Sequence, residues 1–233
     1  MKRQQKFVTL LWHVEMNDIV IIGAGGFGRE VAQLIEEINA VKKTWNFLGF
    51  IDETPEKQNT IINDSPVLGD LNWFKANNKN DLYAAIAIGN PKDKMKLINR
   101  AKACDINFAN LIHPDACVSK FAELGKGCII CRNTILSVNT KVGDYVSINP
   151  YSGIGHDTFI EDFASLYWNV TLSGNVRICE GCEIGSKAVV IPKKTIGKWT
   201  TVGAGAVVVS DLPENCVAVG VPAKPIKNSE VKF

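Results

Sequence analysis

Ile148-Asn-Pro-Tyr-Ser-Gly-Ile154-Gly-His-Asp-Thr-Phe-Ile160-Glu-Asp-Phe-Ala-Ser-Leu166-Tyr-Trp-Asn-Val-Thr-Leu172 carries an aliphatic residue at every sixth place. The period extends without a miss back through Val142, Leu136, Ile130, Leu124 and Val118 to Ile112. It extends forward through Ile178, Ile184, Val190, Ile196 and Val202 to Val208. Four places after each anchor stands a small or β-branched residue, among them Ala116, Cys128, Thr140, Ser152, Ala164, Cys182 and Ala206, with Lys194 the exception. Such a repeat marks a parallel β-helix. Each hexapeptide supplies one short strand and its corner, and three close a triangular coil. Coils stack through main-chain hydrogen bonds about 4.8 Å apart, with the anchors inside and the small residues at the crowded corners. An array of amphipathic helices would need apolar residues at i, i+3, i+4 and i+7, which a strict period of six does not supply.

The 233 residues allow one or two domains, and 46% hydrophobic with 21% charged residues describes an ordinary globular chain. A formal charge of +2 without basic runs gives no footprint for nucleic acid or an anionic membrane surface. No apolar run approaches the ~18 residues of a spanning helix, and Phe7 to Trp12 is too short for a signal-peptide core, so a cytoplasmic location is expected. Met16 directly precedes the strand-like Asp18-Ile-Val-Ile-Ile22, so residues 1–15 read as a leader or upstream start outside the fold. Two CxxC pairs, Cys128/Cys131 and Cys179/Cys182, raise the question of zinc. Cys128 and Cys182 lie three coils apart, about 14 Å along the axis, whereas zinc needs sulfurs at about 2.3 Å. No metal is expected, and the cysteines read as packed, reduced thiols.

Upstream of the repeat, a strand (Ile19 to Ile22), a glycine turn, a helix (Arg29 to Ile38), a strand (Phe47 to Asp52), a strand (Leu82 to Ile88) and a polar helix (Pro91 to Ala103) alternate as in a small Rossmann-type sheet. The expected domains are 16–108 and 109–233. Gly23-Ala-Gly-Gly-Phe-Gly28 has GxGxxG spacing between a strand and a helix, with Asp52 and Glu53 at the next strand end. Glycines let the backbone approach a phosphate, and helix-end N–H groups stabilise the anion. A tight turn without ligand would show the same spacing. One mononucleotide-binding half suits a nucleoside diphosphate sugar better than NAD, and Gly89 and Asn90 at another strand end are placed in the same cleft.

Only three histidines are available. His13 lies in the leader and His113 at the domain junction, where a structural role is expected. His156 sits mid-repeat, beside Asp157 and among glycines, and Gly174 falls directly over it one coil on. It is the base candidate, against the alternative of a corner cap. A β-helical carbonic anhydrase would need three histidines converging on zinc, yet His113 and His156 are 43 residues apart, not a multiple of 18.

Ile19 to Glu30, Phe50-Ile-Asp-Glu53, Ile86 to Asn90, Leu111-Ile-His-Pro114, Gly155-His-Asp157, Ser173-Gly-Asn175 and Val219 to Lys224 together resemble the bacterial sugar acyltransferases of the sialic acid O-acetyltransferase (NeuD/PglD) type. The resemblance covers residues 16–226. It implies a left-handed β-helix, an exception to the right-handed crossover rule, a homotrimer with active sites between subunits, and acetyl-CoA as donor. Carried onto this chain, His156 would be the general base, Asp157 would orient the imidazole, and the Gly174 N–H would stabilise the oxyanion. Adjacent residues of a regular strand point to opposite faces, so the His156–Asp157 pairing requires a corner. Asn149 would hold the acceptor sugar. Gly185, Gly203, Gly205, Val221, Pro222, Ala223 and Lys224 would line the CoA path. Two positions depart from the pattern: Ser165 stands where a second histidine would meet the CoA arm, and Phe27 where the glycine loop often carries His.

The resulting expectation is an acetyltransferase that N-acetylates a nucleotide-linked sugar, a UDP-4-amino sugar by preference, for bacterial surface glycan synthesis. O-acetylation of a sugar such as sialic acid is the second reading. A non-catalytic, trimeric nucleotide-sugar-binding protein is the third.

Overall fold

The computed structural model describes residues 16–77, 81–101 and 104–228. The leader expected over residues 1–15, with His13, lies outside the described residues. The first unit is a six-stranded sheet: β1 (Asn17–Ile22), β2 (Trp45–Ile51), β3 (Ile61–Ile62), β4 (Ser65–Gly69), β5 (Leu82–Ile86) and β6 (Asn107–Phe108), in the order β3-β4-β2-β1-β5-β6. All neighbours are parallel except β3 and β4. The central strand β1 is buried on both sides, which is why Ile19-Val-Ile-Ile22 is apolar without alternation. Its odd members pack with Val31, Leu34 and Ile35 of α1 (Gly26–Val41). Its even members pack with Phe74 of α2 (Trp73–Asn77) and Ile98 of α3 (Pro91–Ala101). Helix α1 begins three residues earlier than its apolar spacing indicates, because the loop glycines themselves take the first turn. The short elements β3, β4 and α2 are additions to the sequence reading, and are too brief to show a period.

From Leu111 onward two-residue strands recur every six residues and pair i with i+18, as Ile129 with Ser147 and Ser147 with Ser165. Three parallel faces result, wound as a left-handed β-helix. The first face runs from Leu111–Ile112 to Thr201–Val202, the second from Cys117–Val118 to Val207–Val208, and the third from Glu123–Leu124 to Thr195–Ile196. From Leu136 to Val208 every anchor is at most 4% exposed. From Gly127 to Gly205 the residue three places after an anchor takes the left-handed conformation at the corner, for example Asn139 (φ 57°), Tyr145 (φ 58°), Tyr151 (φ 64°) and Asp157 (φ 56°). We name these rows corner A (Tyr145, Phe163, Trp199), corner B (Tyr151, Asn169, Lys187) and corner C (Asn139, Asp157, Asn175). Buried hydroxyls and thiols at the small position donate to coil carbonyls, as Thr140 Oγ1 to Ser137 O (2.8 Å) and Cys182 Sγ to Gly197 O (3.0 Å). Burial pushes the Cys128 thiol up to about 11 and the Cys182 thiol up to about 12, so both remain protonated and inert at neutral pH.

The α/β unit rests on the first face and corner A. Leu111 and Ile129 join the α1 core, and Tyr145 and Phe163 join the α3 core. Glu37 of α1 ties the junction polarly, accepting from His113 Nε2 (2.8 Å) and Arg132 (2.6 Å), while His113 Nδ1 accepts from the Asp115 N–H (2.9 Å).

Candidate active site and nucleotide cleft

Corner C solves the geometric problem of two adjacent residues facing the same way. The left-handed turn at Asp157 brings its Oδ2 2.7 Å from His156 Nδ1. Asn139, one coil below, donates to Asp157 Oδ1 (3.0 Å). The hydrogen bond from His156, then that from Asn139, holds the Asp157 carboxyl below its usual range. A carboxylate at Nδ1 places the imidazole proton there and leaves the Nε2 lone pair available. The His156 side chain is 56% exposed, so a substrate can reach it. A Cβ built on Gly174 would overlap Nε2 and Cε1 of that ring, so glycine at this position is a condition of the imidazole's placement.

The turn position that Gly174 occupies presents its N–H along the axis. At corner A the equivalent N–H groups of Lys126 and Asp144 donate to Asp144 Oδ1 (3.0 Å) and Asp162 Oδ1 (2.8 Å) of the next coil. Above Gly174 the next coil holds Pro192, which has no side-chain acceptor. Among the described residues the Gly174 N–H therefore meets no partner, and it stands beside the imidazole as an open donor.

The glycine loop forms the floor of a cleft of about 640 Å³, lined by Gly23, Gly25, Gly26, Phe27, Asp52, Glu53, Thr54, Lys57, Gly89 and α3. Gly25 caps α1 without a side-chain hydrogen bond, so the first-turn N–H groups point into the cleft unclaimed, the arrangement that binds phosphate. A Cβ on Gly28 would fall on the Gly23 carbonyl oxygen, so the third glycine serves strand–helix packing. Asp52 commits its carboxylate to the protein, accepting from the N–H groups of Ala24 (2.8 Å) and Thr54 (2.9 Å) and from Lys57 Nζ (3.0 Å). Burial opposes its charge, but these bonds prevail and keep its pKa low. Glu53 likewise accepts from the Leu71 N–H (3.0 Å) and from Arg100. Asn90, expected in the cleft, instead caps α3, accepting from the N–H groups of Lys92 (3.0 Å) and Asp93 (3.1 Å). Asp93, Lys96, Leu97 and Arg100 of α3 line the cleft and were not singled out from sequence; their i, i+3, i+4 and i+7 spacing on a polar helix was the available signal.

Residues 18–101 match the family profile described as the PglD N-terminal domain. The acetyltransferase domain of PglB from Neisseria gonorrhoeae FA1090, solved with acetyl coenzyme A, is 30% identical, with a TM-score of 0.82 over 91% of this chain and 100% of that one. PerB from Caulobacter crescentus, solved with CoA and GDP-perosamine, is 32% identical, with a TM-score of 0.79 over 91% and 99%. The GDP-perosamine N-acetyltransferase of Escherichia coli O157:H7 is 29% identical over 220 residues, 92% of this chain and 98% of that protein. The chain belongs to the PglD/NeuD-type sugar acetyltransferases. It is a hexapeptide-repeat acyltransferase.

In this acetyltransferase the residues expected along the donor path divide into two groups. Gly205, Val221, Pro222 and Lys224 are exposed at the last coils, and Ala223 anchors the tail by donating to Val207 O (2.8 Å). Gly185 and Gly203 are small for packing reasons, since a Cβ on Gly185 would strike the Gly203–Ala204 backbone and one on Gly203 would strike Val219. Ser165 departs from expectation: it is 1% exposed and its Oγ is held by Lys94 Nζ (3.0 Å) beneath the α/β unit, away from any ligand surface of this chain. Asn149 lies at the end of a first-face strand at 8% exposure, one coil step below Tyr167, whose ring edge reaches the Gly89 rim of the cleft. Among the described residues no group of three or more His, Cys, Asp or Glu side chains is placed to hold a metal ion.

Proposed function

We propose that this acetyltransferase transfers the acetyl group of acetyl-CoA to the amine of a sugar carried on a nucleoside diphosphate. The observation that carries the reading is the His156–Asp157 pair facing the open side of Gly174. The acceptor amine attacks the thioester carbonyl while His156 Nε2 takes its proton, and Asp157 holds the imidazole tautomer as the ring becomes charged. The carbonyl oxygen, gaining negative charge, is met by the Gly174 N–H. Collapse of the tetrahedral intermediate expels the CoA thiolate, which recovers the proton from His156. The exposed run Gly205, Val221 and Lys224 supplies a surface and a cation for the donor's phosphates, and the uncapped start of α1 receives the acceptor's diphosphate.

Corner C lies opposite the face that carries the α/β unit, so the cleft of one chain and its own His156 are separated by the width of the coil. The second face presents Cys117, Ile135, Gly153, Thr171, Val189 and Val207 outward without a charge, and Ile135 is 52% exposed. A homotrimer packed through this face brings corner C of one subunit to the cleft and Asn149 edge of the next, completing the site. Among the described residues no helix is long and apolar enough to cross a membrane. A cytoplasmic location fits the seven free cysteines and the supply of acetyl-CoA.

The deciding experiment follows acetylated product by mass spectrometry with acetyl-CoA and a panel of UDP-, GDP- and dTDP-linked amino sugars, with His156→Ala alongside. UDP-4-amino sugars are what the family resemblance implies, while relatives named for GDP-perosamine make the GDP arm indispensable. A product from wild type that drops 10²- to 10⁴-fold in the variant supports the reading. Silence across amino sugars with turnover of a hydroxyl acceptor would replace it with O-acetylation. Wild-type rates in the variant would remove His156 as the base.

A further inference from the structure

Lys94 of α3 is 0% exposed, yet it carries an amine that the chemistry proposed above does not use. Its Nζ reaches Tyr145 O (3.0 Å), Ser147 Oγ (3.1 Å), Ser165 Oγ (3.0 Å) and Phe163 O (3.5 Å). Those four acceptors come from two successive coils of the β-helix, so a single side chain crosses from the α/β unit and grips both. Ser147 and Ser165 also bond each other (3.1 Å), and each sits one coil step from the next. One coil further, Glu183 occupies the same column and accepts from Tyr167 Oη (2.5 Å). Tyr167 in turn stands one coil step above Asn149 and packs against the Gly89 rim of the cleft.

The rest of the junction on this side is apolar, with Phe108, Tyr145 and Phe163 packed together. Apolar contact resists separation but barely resists sliding, because it is non-directional. Three short hydrogen bonds between one amine nitrogen and a fixed tripod of oxygens are directional and define a single register. Helix α3 is also the cleft wall: Gly89 precedes its cap, and Asp93, Lys96, Leu97 and Arg100 line the cleft. A displacement of α3 along the coil would carry the bound nucleotide past the Asn149 edge.

We infer that Lys94 is a positioning residue for the acceptor, fixing the nucleotide cleft in register with the Asn149–Tyr167 edge of the β-helix. The inference rests on the nucleotide-sugar reading of the cleft for its kinetic consequence and on geometry alone for the clamp. It separates the two substrates: the donor path at the last coils touches nothing that Lys94 holds, so its loss acts on the acceptor.

The test compares wild type, Lys94→Met, which keeps the length and apolar stem, and Lys94→Arg, which keeps the donors. KM for the nucleotide amino sugar is expected to rise at least tenfold in Lys94→Met, with KM for acetyl-CoA within twofold of wild type. Lys94→Arg is expected to recover most of that loss. Equal change in both KM values, or a lowered melting temperature with unchanged kinetics, assigns Lys94 to stability alone and overturns the inference. Hydrogen exchange of the α3 amides supplies a readout independent of turnover. Faster exchange across Pro91–Ala101 in Lys94→Met is expected, and protection equal to wild type overturns the clamp. An inactive wild type with the exchange effect intact would sink the substrate reading and leave the clamp standing.

Discussion

Replacing Gly174 by Ala adds one methyl group and leaves the backbone N–H in place. That Cβ would overlap Nε2, Cε1 and Cδ2 of His156, closer than any real contact allows, so the ring must retreat by about 1 Å to reach an ordinary separation. Misplacement by about 1 Å costs on the order of 10²-fold in rate, equivalent to about 2.7 kcal/mol of transition-state stabilisation. Stability should not fall in parallel. Gly174 is half-buried with an ordinary φ, and the exposed imidazole can swing into solvent, so the Gly→Ala change in the unfolded chain contributes about 0.4–1 kcal/mol in favour of folding. The expected result is a kcat for acetyl transfer about 100-fold below wild type with an unchanged or slightly raised melting temperature. A double-mutant cycle sharpens the point: in a His156→Ala background the methyl group has no ring to displace, so Gly174→Ala should cost less than about threefold. Additive losses in the cycle, or wild-type kcat in the single variant, would refute the argument that Gly174 acts by making room for His156.

Asp157→Asn keeps the shape of the corner but can offer its amide to Nδ1. Loss of the fixed tautomer is expected to lower kcat about 10- to 100-fold, less than His156→Ala does, and a larger loss than His156→Ala would contradict an orienting role. Gly28→Ala drives a methyl group into the Gly23 carbonyl, so isothermal titration should show nucleoside diphosphate affinity collapsing while CoA binding survives. Burial lowers the Lys94 amine from its ordinary 10.5 to about 7, against the weaker pull of Cys128 and Glu183. Between those values the unfolded chain binds the extra proton, so the cost of burying Lys94 is complete below pH 7 and shrinks as pH rises. Stability should climb as pH rises above 7, a climb that Lys94→Met abolishes. Melts of both proteins from pH 6.5 to 8.5 check this, and parallel curves would contradict the burial argument.

The β-helix was legible because its period of six is a direct image of burial: each anchor fills the interior and nothing else in the hexad must. The pairing of His156 with Asp157 was visible as a neighbourhood but not as a geometry, since only the left-handed turn at Asp157 turns two adjacent side chains to one side. The cleft's glycine loop could be read from spacing, whereas Lys96 and Arg100 were signalled only by their shared helix face, and a polar face looks the same toward solvent and toward a ligand. Asn90 was read as cleft lining when its position before Pro91 also suits a helix cap. Ser165 was read through the relatives' histidine, and its partner Lys94 lies 71 residues away on another element, a contact no local pattern encodes.

The stacking of residue i on i+18 also limits how the chain can change in length. Inserting or deleting one hexad between His156 and Gly174 would leave every strand well formed and every anchor buried. Yet it would rotate everything downstream by a third of a turn, carrying Gly174 from corner C to a neighbouring edge and setting another row above the imidazole. Only a change of three hexads restores the alignment, and it does so by placing a whole new coil between the two residues. The gene segment that joins His156 to Gly174 is therefore free in much of its composition but fixed in length.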